Sequence, residues 1–366
     1  FSFGDLEFGY LAGASYGNDW ATRRYRQDFL LVGEDNALER GHAYDFTTTS
    51  HGVSAGGVLS LGAKWTDDHQ VALTTVLGRS TDDEARIYEG FNRDVGGDIR
   101  VTRLRWVERT LLAQQATGTH KFAPLFGLEA DWRYTYALAT RHEPDRREIR
   151  KDREGDTDAW LLSDRPEGNQ RVFSDLTDHS HDAGLTLRLP FRQWTDEDGK
   201  VEAGIAFAGK TRAVDTRRFK FQHKGGASGD PAILTRDPEA IFTPENIGSD
   251  GFQFEEITRQ TDNYTASQIV GGGFASGVLP LGWGFVLSGG MRVEHARQQV
   301  STFELFNPND EPVTAELVTT DFLPAASLSW EIIEGMKLRA GSSITVSRPD
   351  FRELSPATFN DVTGGR

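Results

Sequence analysis

Side-chain alternation with a period of two runs through this chain from end to end and restricts what it can fold into. In GLEADWRYTYALATR, residues 127–141, Leu128, Ala130, Trp132, Tyr134, Tyr136 and Leu138 take even positions, while Glu129, Asp131, Arg133 and Thr135 take odd ones. Period two puts the two sets on opposite faces of a sheet, one apolar and aromatic, the other charged. Similar runs lie near residues 6–16, 53–65, 70–79, 99–117, 183–191, 201–215, 264–278, 283–299, 318–331 and 336–346. A less regular run near 26–32 is left out of that set. No window carries the i, i+3, i+4, i+7 apolar stripe of an amphipathic helix, so the fold class is all-β.

The connections between runs separate a soluble sheet from a lipid-facing one. Short links (TDDH at 66–69, GTHKFAPLF at 118–126, WTDEDGK at 194–200, LPLGW at 279–283 and EIIEGM at 331–336) alternate with long polar stretches at 79–98, 142–181, about 217–262 and 303–316. Alternation of this kind between antiparallel neighbours collects tight turns at one end of the sheet and long connections at the other. That asymmetry predicts an antiparallel transmembrane β-barrel segment of about 11 to 12 strands, with short periplasmic turns and long extracellular loops. No stretch approaches the roughly 18 apolar residues of a membrane helix, whereas a barrel strand needs only about 9 to 11 alternating residues. The even-numbered side of 128–138 then faces lipid, and Glu129, Asp131 and Arg133 face the lumen. A soluble or surface-attached all-β module, such as a carbohydrate-binding protein or adhesin, is the alternative, with that same apolar face as its core.

Charge and motif content exclude several functions. A net charge of −15 argues against a nucleic-acid partner, whose binding rests on a basic surface. With no cysteine there is no disulfide, thiolate metal site or cysteine nucleophile. No phosphate-binding loop or G-x-S-x-G elbow is present, and GGGFASG at 271–277 follows strand alternation, so its glycines serve curvature or close backbone approach. The chain is not read as an enzyme, and no cofactor is expected. In DHSHD, His179 and His181 at i, i+2 point to one side of a strand as metal ligands do, although a solvated loop edge gives the same pattern. RDVGGD at 93–98 fits a tight turn or a calcium clasp. The mixed charges of RHEPDRREIRKDREG, 141–155, fit a solvated exterior loop or a ligand-gathering one.

The C-terminal block DFLPAASLSWEIIEGMKLRAGSSITVSRPDFRELSPATFND, 321–361, resembles the β-barrel of TonB-dependent outer-membrane receptors. Its strongest match is Ser347, Arg348, Pro349, Asp350, Phe351, Arg352, Glu353, Leu354, Ser355 and Pro356. LSGGMRVEHARQQV (287–300), AGIAFAGKTRAVDTRRFKF (203–221) and ERTLLAQQATGTHKF (108–122) with RHEPDRRE (141–148) are similar to further family strands in the same order. The resemblance implies a barrel of the class with about 22 strands, a globular plug in its lumen, and location in a Gram-negative outer membrane. It also implies energy coupling through TonB and its inner-membrane motor, and a ligand that is a siderophore, a cobalamin-like cofactor or an oligosaccharide. Residues 1–366 are accordingly expected to be one partial barrel domain, without plug or last strands, since FSFGDLEFGY carries no initiating Met or leader and VTGGR ends in a turn. Arg348, Asp350, Arg352 and Glu353 are expected to contact plug or ligand, or to pin strand register through ion pairs.

Overall fold

The computed structural model describes residues 1–32, 36–153, 158–165, 168–194, 197–302 and 312–354. Among these, one antiparallel sheet of 14 strands runs in chain order: β1 (Ser2–Phe3), β2 (Leu6–Val32), β3 (Leu38–Trp65), β4 (His69–Asn92), β5 (Gly97–Phe122), β6 (Leu128–Arg153), β7 (Leu161–Leu162), β8 (Gln170–Arg192), β9 (Asp198–His223), β10 (Phe252–Glu256), β11 (Tyr264–Gly282), β12 (Phe285–Thr302), β13 (Val313–Ile333) and β14 (Met336–Ser343). Each long strand pairs with the next, while β7 and β10 are short additions to β6 and β9. Among the described residues there are also three one-turn α-helices, α1 (Pro231–Leu234), α2 (Pro238–Ile241) and α3 (Phe351–Leu354), and no helix is long and apolar enough to cross a membrane.

Each alternating run falls on its own strand, with the 283–299 run starting two residues before β12 and the 336–346 run outlasting β14 by three, and the 26–32 run is the far end of β2. Register carries the alternation from strand to strand: Glu129, Asp131 and Arg133 lie opposite Arg188, Thr186 and Gly184, and Arg188 lies opposite Glu202. The other side bears a continuous apolar band, where Ile205 is 63% exposed and Phe322 64%, alongside Leu59, Leu73, Tyr134, Leu187 and Met291. Exposed apolar surface on this scale needs an apolar solvent, and the charged side becomes the lumen face. Aromatic rings replace missing side chains on both faces: Phe274 covers Gly204, where a Cβ would come within 2.6 Å of the ring, and the Trp132 indole covers Gly118.

One expectation is corrected. The polar stretch 79–98 is no loop: β4 continues to Asn92, turns through Arg93–Gly96 with Gly96 at φ 72°, and returns as β5. The 141–155 run is likewise β6 as far as Arg153. Asp98 bonds Arg153 while Asp94 lies 3.9 Å from His42 of β3, so the two carboxylates of RDVGGD serve different neighbours. Apolar alternation stops where the strands leave lipid, because both faces then meet water or protein, yet the backbone ladder continues. There, cross-strand ion pairs such as Arg100–Glu89 (2.7 Å) and Arg105–Asp82 (3.1 Å) replace apolar contacts on the rungs. A buried lumen-side cluster of Tyr44, Phe46, Tyr88, Ile99 and Val101 holds the β3–β5 extension, with Phe46 stacked on Tyr25 at 4.7 Å and on Tyr88 at 4.9 Å. Phe252, Ile241, Leu234 and Leu162 fix the long connection after β9.

A paired extension and a loose loop differ in protease sensitivity. Trypsin applied to the folded protein in lipid vesicles is expected to cut after Arg93, in the turn, and to spare Arg86 and Arg100 in the ladder. Early cleavage after Arg86, read by peptide mass spectrometry, would contradict the extension.

Candidate functional site

The lumen face carries its charges in tiers. Near the short turns, Arg188 on β8 gathers three carboxylates from its two neighbouring strands: Glu202 on β9 at 2.8 Å, and Glu129 at 3.0 Å and Asp131 at 3.2 Å on β6. Thr119 donates a further hydrogen bond to Asp131 at 2.8 Å. Arg133 stands one lumen-facing position further along β6 and pairs with Asp182 at 3.0 Å. The structure therefore brings Glu129 and Asp131 together and gives Arg133 a separate partner on the same face. Arg188 and Glu202 were missed because LTLRLP and KVEAGI give each a facing but not a cross-strand neighbour; register alone supplies that.

The middle tier is built by the signature segment, which folds back over the lumen face of β9, β11 and β12. Arg348 donates to Glu294 on β12 at 2.8 Å and to Asp321 on β13 at 2.7 Å, with its side chain only 14% exposed. Gln298 donates to the Pro349 carbonyl at 3.0 Å, and Phe351 buries against Tyr264, Ala266 and Val300. Arg212 lies over the Phe351 ring at 5.4 Å, bonds Asp178 at 2.7 Å and meets Asp350 at 3.5 Å. Asp350 and Glu353 otherwise serve the turn: Asp350 accepts from the Arg352 backbone N–H, and Glu353 accepts from that of Asp350. The Arg352 side chain is exposed. Two blocks that carry the family resemblance, 287–300 through Glu294 and 321–361 through Asp321 and Arg348, thus meet at one guanidinium, while Ser355 and Pro356 lie outside the described residues.

The upper tier lies beyond the apolar band. Arg103 pairs with Glu148 at 3.0 Å, Arg141 with Glu143 at 2.8 Å, Arg150 with Asp152 at 2.7 Å and Arg218 with Asp262 at 2.9 Å. Burial pushes the Tyr88 hydroxyl well above its ordinary range, and the Arg217 guanidinium holds the Glu256 carboxyl below its own. Trp160 is clasped between Arg100 and Arg153 at 4.4 and 4.9 Å.

His179 and His181 do point to one side, but it is the lipid side. Their Nδ1 atoms engage the Tyr136 hydroxyl at 3.0 Å and the Tyr134 hydroxyl at 2.8 Å. Each Tyr–His pair satisfies a hydroxyl and a ring nitrogen within the protein on a face that otherwise meets lipid. Among the described residues, no group of three or more His, Asp or Glu is placed to hold a metal ion.

Because Arg348 is shielded and bidentate across two carboxylates, Arg348→Gln is expected to destabilise the folded protein by about 1–3 kcal/mol, with Arg348→Lys recovering part of the loss. Urea unfolding in lipid vesicles reads this. A shift below about 0.5 kcal/mol would reduce the signature arginine to a surface group.

Comparison with known proteins follows the same architecture. The family model described as TonB dependent receptor-like, beta-barrel, matches residues 3–366. No curated protein sequence matches the chain significantly. Among solved structures, the alcaligin outer-membrane receptor FauA from Bordetella pertussis is similar at 12% identity and a TM-score of 0.39, over 92% of this chain and 43% of that one. The siderophore receptor PiuA from Acinetobacter baumannii is similar at 9% identity and a TM-score of 0.37, over 80% of this chain and 46% of that one. The chain thus spans less than half the length of either structure. With a family model matched along nearly its whole length, the chain belongs to the TonB-dependent receptor-like β-barrel family.

Proposed function

We propose that this chain is barrel wall of a Gram-negative outer-membrane receptor that captures a scarce ligand at its extracellular end for energy-coupled uptake. The observation that carries the reading is the two-faced sheet: an exposed apolar band outside, and tiers of paired charges on the lumen side, continued beyond the band by extended hairpins. A soluble binding module needs the apolar side buried, and that side is open here. In this reading a plug domain lies against the lumen face, TonB and its inner-membrane motor supply the energy, and the protein acts as a transporter with no catalytic group. Glu129, Asp131 and Arg133, in the tier near the periplasmic turns, and the Arg348–Asp350 segment are its plug- or ligand-facing positions. The ligand class, taken from the resemblance, is a siderophore, a cobalamin-like cofactor or an oligosaccharide.

Deleting the gene is expected to abolish uptake of one of three labelled probes, ferric siderophore, cobalamin or oligosaccharide. The same uptake should vanish in the parent strain when the proton-motive force is collapsed. The gene product should fractionate with the outer membrane and need detergent for extraction. A protein soluble without detergent, or a deletion strain unimpaired with all three probes, would overturn the reading.

A further inference from the structure

The upper tier holds one arginine that its neighbours leave out. Below Glu143, odd-numbered residues of β6 face the lumen; the register then shifts between Glu143 and Arg146 against β8 and between Leu104 and Glu108 against β5. Beyond the shift, even-numbered residues face the lumen, with Glu148 opposite Arg103 and Arg150 opposite Val101. Pro144 sits in the bulge, where a residue without a backbone N–H is tolerated. Without this bulge Arg146 would continue the outward row of Tyr134, Tyr136, Leu138, Thr140 and His142. Bulges re-aim side chains and are over-represented beside functional sites.

Once turned inward, Arg146 meets no acceptor. Among the described residues its guanidinium makes no hydrogen bond or ion pair, and its Nε is buried without a partner. Glu148 is engaged by Arg103, and Glu143 by Arg141 through Oε2, while Glu143 Oε1 is buried without a hydrogen bond and so does not reach Arg146 either. Desolvation lowers the affinity of Arg146 for its proton, and the charges of Arg103 and Arg218 add to this, against the opposing pull of Glu143 and Glu148. A partly desolvated cation with unmet donors is costly, and the group that meets its forked donors is an oxyanion presenting two oxygens side by side.

We propose that Arg146 is an oxyanion-binding residue of the lumen that takes a carboxylate or phosphate group of the incoming ligand. This rests on the receptor reading above. Height selects the ligand over the plug as the source of that anion. Arg146 stands about 60 Å along the strand from Leu128, or about 45 Å along the membrane normal at a tilt near 40°, whereas the apolar band is about 25 Å tall. The residue is therefore on the cell-exterior side.

The test is arginine-selective labelling of the purified full-length receptor with phenylglyoxal, read by peptide mass spectrometry, with citrate and inorganic phosphate as probes. Arg146 is expected to react several times faster than the paired Arg103 and Arg150, and either probe should slow its labelling. Citrate binding measured by calorimetry should weaken about tenfold or more in Arg146→Gln and less in Arg146→Lys. An Arg146 unreactive without added anion would assign its acceptor to the receptor itself and overturn the proposal. So would labelling that neither probe slows, or equal citrate binding by wild type and Arg146→Gln. Labelling reads this residue whichever uptake assay succeeds, so loss of the anion site and loss of the receptor reading are separable outcomes.

Discussion

The structure depends on one requirement: backbone N–H and C=O groups in hydrocarbon must be satisfied within the protein. An antiparallel ladder meets it strand against strand, from β2 to β14, and everything else is arranged around that ladder. Because the ladder turns successive side chains to opposite sides, the same residues that meet lipid fix which residues meet the lumen. Ile205 and Phe207 outside require Glu202 and Gly204 inside. A one-residue slip would exchange the faces and place Arg188 and its three carboxylates in lipid. Register is thus held both by hydrophobicity outside and by ion pairing inside.

The lumen charges act as cross-strand ties. Arg188 joins β6, β8 and β9, and Arg348 joins β12, β13 and the segment after β14. Each guanidinium sits where exposure is intermediate or low, so pairing offsets desolvation more effectively than at an open surface. The same logic makes Arg146 stand out, since its neighbours follow the pairing rule and it does not.

Strand existence and facing were legible in the sequence because lipid imposes a clean period of two. Strand length was not. At Arg79 the outward row leaves the apolar band and both faces become polar, so 79–98 reads as loop although Arg86, Glu89 and Arg100 sit in the ladder. The bulge at Pro144 was equally hidden, because His142–Arg147 carries no apolar rhythm to reveal a change of phase. Glu129, Asp131 and Arg348 stand out as candidates in the sequence, but their partners Arg188, Glu294 and Asp321 depend on cross-strand register, which no single strand encodes. His179 and His181 were correctly read as sharing a side, and only the structure shows that this side carries Tyr134 and Tyr136.

The most direct test of this account is to place a charge on each face of one strand. Tyr134 lies about 15 Å above the turn along the membrane normal, near the middle of the apolar band, and Asp131 points into the lumen. Arg in place of Tyr134 is predicted to cost about 2–4 kcal/mol and to impair insertion into lipid vesicles, while Arg in place of Asp131 still inserts. Insertion failure for Asp131→Arg with normal insertion of Tyr134→Arg would reverse the faces, and with them the assignment of the lumen.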